Sequence, residues 1–123
     1  VAHNQLPPAY ISYLMPSRYC PSDRFANFVG TRFQAATKGQ QVLDMAAWVH
    51  GELTYVPGSS DGSTSAADTF LSRQGVCRDY AHLLIAFCRA ADIPARMVSA
   101  YALDLDPPDF HAVVEVHLGG SWH

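Results

Sequence analysis

Residues 77–93 carry the clearest helical pattern in the chain, and this pattern fixes which face of the helix is buried. Counted from Cys77, the apolar residues recur at i+4, i+7, i+8 and i+11, which is the spacing of one buried face: Ala81, Leu84, Ile85 and Cys88. The helix should end around Asp92, because Pro94 cannot continue it and disfavours helical geometry just before itself. Cys77 therefore begins the helix in register with the face that packs into the fold.

This position of Cys77 favours the reactive form of a thiol. Unpaired backbone N–H groups and the positive end of the helix dipole both stabilise the thiolate, which is the nucleophilic form. Cys88 lies 11 residues further along the same helix, about 16 Å away, so the two cannot form a disulfide. We expect Cys77 to be a nucleophile and Cys88 to be a small core residue.

Residues 111–118 alternate in the way typical of a β-strand rich in branched side chains. One face is apolar and should face the core, and His111 begins the other, less apolar face. A cysteine at a helix start and a downstream histidine on a strand form the arrangement that thiol acyl-transfer enzymes use. The imidazole takes the thiol proton, and the thiolate then attacks an amide or ester carbonyl. Cys77 and His111 are the predicted catalytic pair.

Three blocks of sequence in this order resemble the transglutaminase-like superfamily, in particular its bacterial members. The blocks are GVCRDYAHL at 75–83, DIPARMVSAYAL at 92–103 and FHAVVEV at 110–116, and the stretch 48–58 also fits the pattern. The resemblance covers roughly residues 40–123. It implies that Cys77 is the nucleophile and His111 the base. It also implies an α+β fold with a papain-like core, in which the cysteine helix packs on an antiparallel sheet that bears the histidine.

Two positions depart from the family pattern without removing any chemistry. Val113 stands where the family usually has tryptophan, so an aromatic wall beside the histidine must come from elsewhere. Asp92 stands where the family usually has glycine at the helix end. Aspartate tolerates the left-handed conformation better than most residues, so we expect the helix to end there in the same way.

Members of this family orient the histidine with an aspartate on the following strand. Gly119 and Gly120 predict a two-residue hairpin turn that pairs Leu118 with Ser121. In that register position 128 would oppose His111, so we expect the orienting acid to lie beyond the last residue of the sequence.

Two acidic residues nearer to His111 are poorer candidates for the orienting acid. Glu115 lies on the same strand face, but four residues along a strand span about 13 Å. Asp109 precedes the histidine by two residues and is expected to be a loop acid.

A developing oxyanion needs donors beside the nucleophile. The backbone N–H of Cys77 is the natural first donor at a helix start. Tyr55, Gln74 and Trp48 are each conceivable as a second donor, with ordinary packing or solvent exposure as the alternative for each. Tyr55 ranks first because it lies within the stretch that fits the family pattern.

The remaining segments predict helices first and hairpin-linked strands later, an α+β order. Helices are expected at 23–33 and 40–53. A third helix, which carries Ala67, Phe70 and Leu71, is announced by Ser65 with Asp68, a capping-box-like pair. A strand is expected at 96–103, followed by an acidic proline-containing loop. Residues 1–22 are interpreted as an extended lead-in from a preceding domain, and 23–123 as the core. Because the sequence begins with valine and the last strand is only begun, we expect it to be part of a longer protein.

The composition fits one soluble domain and excludes some partners. The chain has 123 residues, 49% of them hydrophobic, which is enough for one core. The net charge is −3 and the basic residues are scattered, so neither nucleic acid nor a membrane surface is an expected partner. Three thiols without evident pairing suit a reducing compartment, most simply the cytoplasm.

Metal binding is a weaker interpretation than a solvated surface at each cluster of ligand-type residues. The loop with Asp104, Asp106 and Asp109 contains two prolines and no glycine, which makes it a poor calcium loop. His111, His117 and His123 are interrupted by the glycine turn, which disfavours zinc. His82 lies five residues from Cys77 on another helical face and is expected to be structural. We expect no metal and no cofactor.

Three functions are compatible with these residues. The first is hydrolysis of a peptide or isopeptide bond through an acyl-enzyme on Cys77, by a cysteine protease or amidase. The second is transfer of a glutamine acyl group to an amine, which cross-links proteins. The third is a non-catalytic binding module, which the presence of both Cys77 and His111 argues against. Hydrolysis is favoured because water is always present whereas an amine site must be built, and the expected partner is a peptide or protein substrate.

Overall fold

The computed structural model describes residues 22–102 and 109–123, with side chains for 22–97 and 114–123. A 3₁₀ turn precedes four helices and five strands in these ranges. In chain order they are the turn Ser22–Phe25, α1 Ala26–Arg32, α2 Lys38–Glu52, β1 Thr54–Tyr55, α3 Ala66–Ser72, β2 Gln74–Gly75, α4 Cys77–Ala90, β3 Ala95–Ala102, β4 Asp109–Leu118 and β5 Ser121–Trp122. The α+β fold is therefore confirmed. The predicted lead-in before residue 22 and the acidic loop at 103–108 lie outside the described residues.

The helices before the cysteine begin where local chemistry places them. Thr37 caps α2, its side chain accepting the backbone N–H of Gln40 at 3.1 Å. Ser65 and Asp68 form the predicted capping box at the start of α3, with the Ser65 N–H donated to the Asp68 carboxylate at 2.9 Å. Leu71, one of the apolar residues that this helix was expected to carry, is 82% exposed. Thr69 occupies the buried face instead.

Helix α4 is the central element of the core. The apolar residues predicted from its periodicity are buried or packed against the core. Asp92 adopts a left-handed φ of +62° just after the helix. The N–H groups of Asp92 and Ile93 are donated to the carbonyls of Arg89 and Cys88, at 3.1 and 2.9 Å, which is the Schellman pattern. The helix end expected from the sequence is thereby confirmed, with aspartate in the role of glycine.

A three-stranded antiparallel sheet in the order β3-β4-β5 packs against α4. β3 and β4 pair without a bulge from Ala95 opposite Val116 to Ala102 opposite Asp109. The predicted hairpin is confirmed, since Leu118 pairs with Ser121 and both turn glycines have positive φ, of 60° and 90°. The expectation that Asp109 is a loop residue was wrong: it is the first residue of β4, because the pairing with β3 extends two residues beyond the alternating pattern.

Aromatic rings fill the space between α4 and the helices before it. Phe87 is fully buried on α4 and lies between 5.3 and 6.3 Å, by ring centroids, from five rings: Phe25, Phe28, Phe33, Trp48 and Phe70. Most of these pairs meet edge to face, the arrangement that aromatic quadrupoles favour. This cluster holds α4 rigidly at its C-terminal half, away from Cys77. Within the described ranges, no helix is both long and apolar enough to cross a bilayer.

Candidate active site

The start of α4 is held by a two-stranded parallel sheet that the sequence pattern did not predict. β1 and β2 pair Thr54 with Gln74 and Tyr55 with Gly75. The N–H groups of Thr54 and Val56 are donated to the carbonyls of Arg73 and Gly75, at 2.8 and 3.0 Å. This pairing brings Tyr55 beside the chain two residues before Cys77.

Asp79 fixes the junction between β2 and α4 from inside the protein. Its carboxylate is 1% exposed and accepts the N–H of Val76 at 2.9 Å. Val76 is the N-cap of α4, and its side chain cannot accept a hydrogen bond from the first helical N–H groups. Of the two hydrogen bonds in a capping box, only the one from the N-cap N–H to the side chain of the third helical residue is therefore made here. A Cβ at Gly75 would lie 2.6 Å from the Cβ of Asp79, so glycine is required at that position. The residues before Cys77 thus have little freedom to move.

Cys77 lines an open groove of about 540 Å³ between α2, α4 and β4. The groove is mostly apolar. Its described lining consists of Ala46, Val49, His50, Tyr55, Cys77, Tyr80, Ala81, Leu84 and Val114. The thiol is partly exposed and is not in a disulfide. A substrate could therefore reach the sulfur from solvent.

Tyr80 and His50 stand beside Cys77 in the groove, and the sequence prediction missed both. Burial and the neighbouring Cys77 and Tyr55 raise the pKa of Tyr80, so its phenol stays protonated near neutral pH. The rings of His50 and Tyr55 lie 6.2 and 6.3 Å from that of Tyr80, by centroids. Tyr80 could have been found from its i+3 spacing to Cys77, which puts both on one helical face. No comparable signal marks His50, whose position depends on how α2 packs against α4.

His111 lies in β4, where it is paired with Ala100. Its side chain lies outside the described residues. Val114, three residues further along β4, lines the groove that contains Cys77. Three residues of strand span about 10 Å, so the described residues place the strand that bears the predicted base, and not its imidazole, beside the groove.

Glu115 is engaged elsewhere in the sheet. It pairs with Arg96 across β3 and β4, and its carboxylate lies 3.4 Å from the Arg96 guanidinium. That guanidinium also stacks over Trp122 at 3.8 Å. The Glu115 carboxylate is therefore already paired within the sheet.

Trp48 and Gln74 are the other two residues considered from the sequence as second oxyanion donors. Trp48 stacks on Phe70 at 5.8 Å, with the Arg73 guanidinium 4.8 Å from its ring centroid, and Gln74 is solvent-exposed on β2. Neither is among the described residues that line the groove. Of the three residues considered as a second oxyanion donor, only Tyr55 is among the described residues that line the groove with Cys77.

Cys88 and His82 occupy the buried side of α4. Cys88 is fully buried, as predicted, and burial raises the pKa of its thiol to about 12. His82 is 7% exposed, and burial lowers the pKa of its imidazole against the opposing charge of Asp79. Both residues therefore pack within the fold.

The histidines that end the sheet are engaged with neighbouring groups. The His117 ring packs edge to face on Trp122 at 5.3 Å, and His123 Nε2 lies 3.1 Å from the Leu118 carbonyl. In the part of the chain that the structure covers, no three His, Cys, Asp or Glu side chains cluster in a way that could hold a metal ion.

A cysteine at the start of a buried helix, packed against an antiparallel sheet with a histidine on its middle strand, defines a papain-like core of the transglutaminase type. A family model described as the transglutaminase-like superfamily matches residues 27–123. The chain belongs to the transglutaminase-like superfamily. The resemblance stated from the sequence is therefore confirmed, and the chain falls in a family of thiol-dependent enzymes.

Solved structures and curated relatives agree with this assignment. A candidate cysteine protease from Cytophaga hutchinsonii is 44% identical and superposes with a TM-score of 0.94, over 99% of this chain and 43% of that one. The periplasmic domain of TgpA from Pseudomonas aeruginosa shares the fold, with a TM-score of 0.68 and 24% identity over 97% of this chain and 46% of that one. An uncharacterized protein of Mycobacterium leprae is 30% identical over 89% of this chain. The chain spans 43% of that relative's length.

Proposed function

We propose that the protein cleaves peptide or isopeptide amide bonds through an acyl-enzyme on Cys77, in the manner of a cysteine protease or amidase. The observation that carries this proposal is the position of the Cys77 thiol. It begins α4 and lines an open groove whose wall includes β4, the strand that bears His111. The likeness to a candidate cysteine protease supports the same reaction.

In this mechanism His111 accepts the thiol proton, and the Cys77 sulfur attacks the amide carbonyl carbon. The tetrahedral intermediate collapses with cleavage of the C–N bond, and the imidazolium of His111 returns its proton to the leaving amine. Water, deprotonated by the same imidazole, then attacks the thioester and releases the acid. Each proton that is taken is given back, so the enzyme ends unchanged.

The oxyanion would be stabilised by the backbone N–H of Cys77 together with the phenol of Tyr55. The first donor belongs to the first turn of α4, where the helix dipole also favours negative charge. The second is supported by the β1–β2 pairing, which holds Tyr55 beside Gly75. Because such a donor is already in position before the reaction, it stabilises the oxyanion without a cost of reorganisation.

Transfer of a glutamine acyl group to an amine is the alternative outcome at the same site. It shares every step up to the thioester and differs in whether water or an amine attacks next. Because the chain belongs to the transglutaminase-like superfamily, the experiment must be able to detect transfer to an amine. Hydrolysis is preferred because the open groove leaves the thioester accessible to water.

The deciding experiment is mass spectrometry of a glutamine-containing peptide substrate incubated with the full-length protein, with and without a primary amine. A released acid, or a cleaved peptide, supports hydrolysis. An amine adduct would replace hydrolysis with cross-linking as the function.

Cys77→Ala is the control for both products and should abolish each of them. The wild-type protein should form an acyl-enzyme or a product with some member of a broad peptide library. If it forms neither, a binding module is favoured over an enzyme. Cys88→Ala, at the buried thiol of the same helix, should leave turnover intact per folded molecule.

A further inference from the structure

The groove beside Cys77 differs from the rest of the surface in the side chains that line it. Among the described residues, its lining contains no Asp, Glu, Lys or Arg. Ala46, Val49, Leu84 and Val114 supply aliphatic walls from α2, α4 and β4. A charged side chain placed here would lose its hydration and gain no charged partner from these walls.

Three rings form the other side of the groove. Tyr80 is the middle one, with His50 and Tyr55 at centroid distances of 6.2 and 6.3 Å and interplanar angles of 70° and 49°. These tilted rings present edges and faces to the space above Cys77, which are the surfaces an incoming aromatic ring contacts best. The volume of about 540 Å³ lies within the roughly 300–1,000 Å³ typical of ligand pockets and accommodates a large side chain.

We propose that this groove is the acyl-donor specificity site, and that it receives an uncharged aromatic or branched aliphatic side chain from the residue whose main-chain carbonyl Cys77 attacks. The inference rests on the proposed function and names its substrate class. The two methylenes of a glutamine donor would bury far less apolar surface in the same space. A main-chain amide after Phe, Tyr or Leu therefore fits the groove better than a glutamine side chain.

The test uses peptidyl chloromethyl ketones that differ only in the side chain next to the reactive carbon: Phe, Leu, Ala, Asp and Lys. The Cys77 thiolate displaces chloride and forms a stable thioether, so the rate of alkylation follows from the intact mass of the protein. A peptide bearing 6-diazo-5-oxonorleucine places the reactive carbon where a glutamine amide would be and completes the series. There the thiol proton passes to the diazo carbon, the sulfur bonds to the same carbon, and N₂ leaves. Iodoacetamide, which has no donor side chain, gives the reference rate for the thiol alone.

Each probe's rate is divided by the iodoacetamide rate of the same protein. On this scale the Phe and Leu probes should alkylate Cys77 about ten- to a hundredfold faster than the Ala probe. The Asp and Lys probes should be no faster than Ala. Equal rates for all side chains, or a faster reaction with the glutamine mimic, would overturn the assignment. Absence of selective alkylation of Cys77 by iodoacetamide would instead count against the proposed function itself, so the two failures are distinct.

Ala46→Leu provides a variant that fills the groove from α2, and Ala47→Leu is its matched control. Ala46 lines the groove, whereas Ala47 is solvent-exposed on the other face of the same helix. Ala46→Leu should remove most of the preference for Phe over Ala while leaving the iodoacetamide rate within about twofold, and Ala47→Leu should change neither. If Ala46→Leu fails to fold, Val49→Ala enlarges the same wall and should raise the rate of a naphthylalanine probe relative to Phe. An unchanged ratio in the folded variant would overturn the assignment.

Discussion

At the scale of the residue, one helix carries two thiols with opposite environments. Cys77 begins α4 in an open groove, whereas Cys88 lies three turns further along with no exposed surface. Burial raises the pKa of Cys88 to about 12, so almost none of it is thiolate near neutral pH. Cys77 is instead partly exposed, at the first residue of the helix.

Iodoacetamide at mildly acidic pH should therefore label Cys77 well before Cys88. Peptide mass mapping after timed quenching measures the two rates in one sample. We expect at least a hundredfold ratio, since alkylation needs both the thiolate and access to it. Equal slow labelling of both sites would contradict an activated nucleophile.

His111→Ala should move the pH profile of Cys77 alkylation to higher pH if the imidazole holds the thiol proton.

Tyr55 tests the oxyanion assignment at the level of a single hydroxyl. Tyr55→Phe keeps the ring in the groove and removes only the donor, so kcat should fall about 10²- to 10³-fold while KM stays nearly unchanged. Tyr55→Leu should lower kcat as much and raise KM as well, because it also removes an aromatic wall. Steady-state kinetics on one peptide amide gives both constants. An unaltered kcat in Tyr55→Phe would assign the second donor to another group.

At the scale of the element, the sequence predicted what local chemistry controls. The α4 stripe, the Ser65 cap, the left-handed Asp92 and the glycine hairpin each follow from a few neighbouring residues, and all four are present. The β1–β2 pair was missed because two-residue strands are too short to show alternation, and their parallel pairing joins residues far apart in sequence.

Gly75 is the residue at which this undetected pairing meets the cysteine helix. Gly75→Ala would place a Cβ 2.6 Å from the Asp79 Cβ, a distance that requires the β2–α4 junction to shift. We expect a loss of about 1–3 kcal/mol in unfolding free energy, the usual cost of overpacking. The shift should also slow alkylation of Cys77, because the displaced residues lead directly into it. Urea denaturation and the iodoacetamide rate measure the two effects.

Gly51→Ala is the matched control for this substitution. Gly51 lies in α2, and a Cβ there would meet no atom within 4 Å. Alanine should therefore be stabilising by about 0.5–1 kcal/mol and should leave Cys77 alkylation unchanged. An unfolding free energy for Gly75→Ala no lower than that for Gly51→Ala would mean that Asp79 yields without cost.

At the scale of the whole molecule, the site is assembled where three separately stabilised parts meet. The aromatic cluster around Phe87 anchors one end of α4, the β1–β2 pair anchors the other, and β4 closes the groove with Val114. The sequence predicted a nucleophile and a base from their positions on a helix and a strand, and both residues lie on those elements. The groove walls from α2 could not be identified in that way, because they depend on how one helix packs against another. Substrate selectivity is therefore the property least accessible from sequence patterns.

The same packing makes the stability of the molecule depend on pH through His82. Burial lowers the pKa of this imidazole below its ordinary 6.5, with the Asp79 charge opposing the shift and the Arg78 charge adding to it. The unfolded chain then binds the proton more readily than the folded one. The contribution of neutral His82 to stability is complete above pH 6.5 and is lost as the pH falls from there toward the folded-state pKa.

The unfolding free energy should accordingly fall between pH 7 and pH 5, a range in which most carboxylates remain ionised. His82→Gln should reduce the slope of this fall, whatever it does to absolute stability, because glutamine cannot take up the proton. His50→Gln, which removes a solvent-exposed imidazole from α2, is the matched control for the loss of one histidine. Urea titrations at half-unit pH intervals on the three proteins give the slopes. If the unfolding free energy of His82→Gln falls with pH as steeply as that of the wild type, other groups control the acid response. Burial of His82 would then cost the fold nothing at low pH.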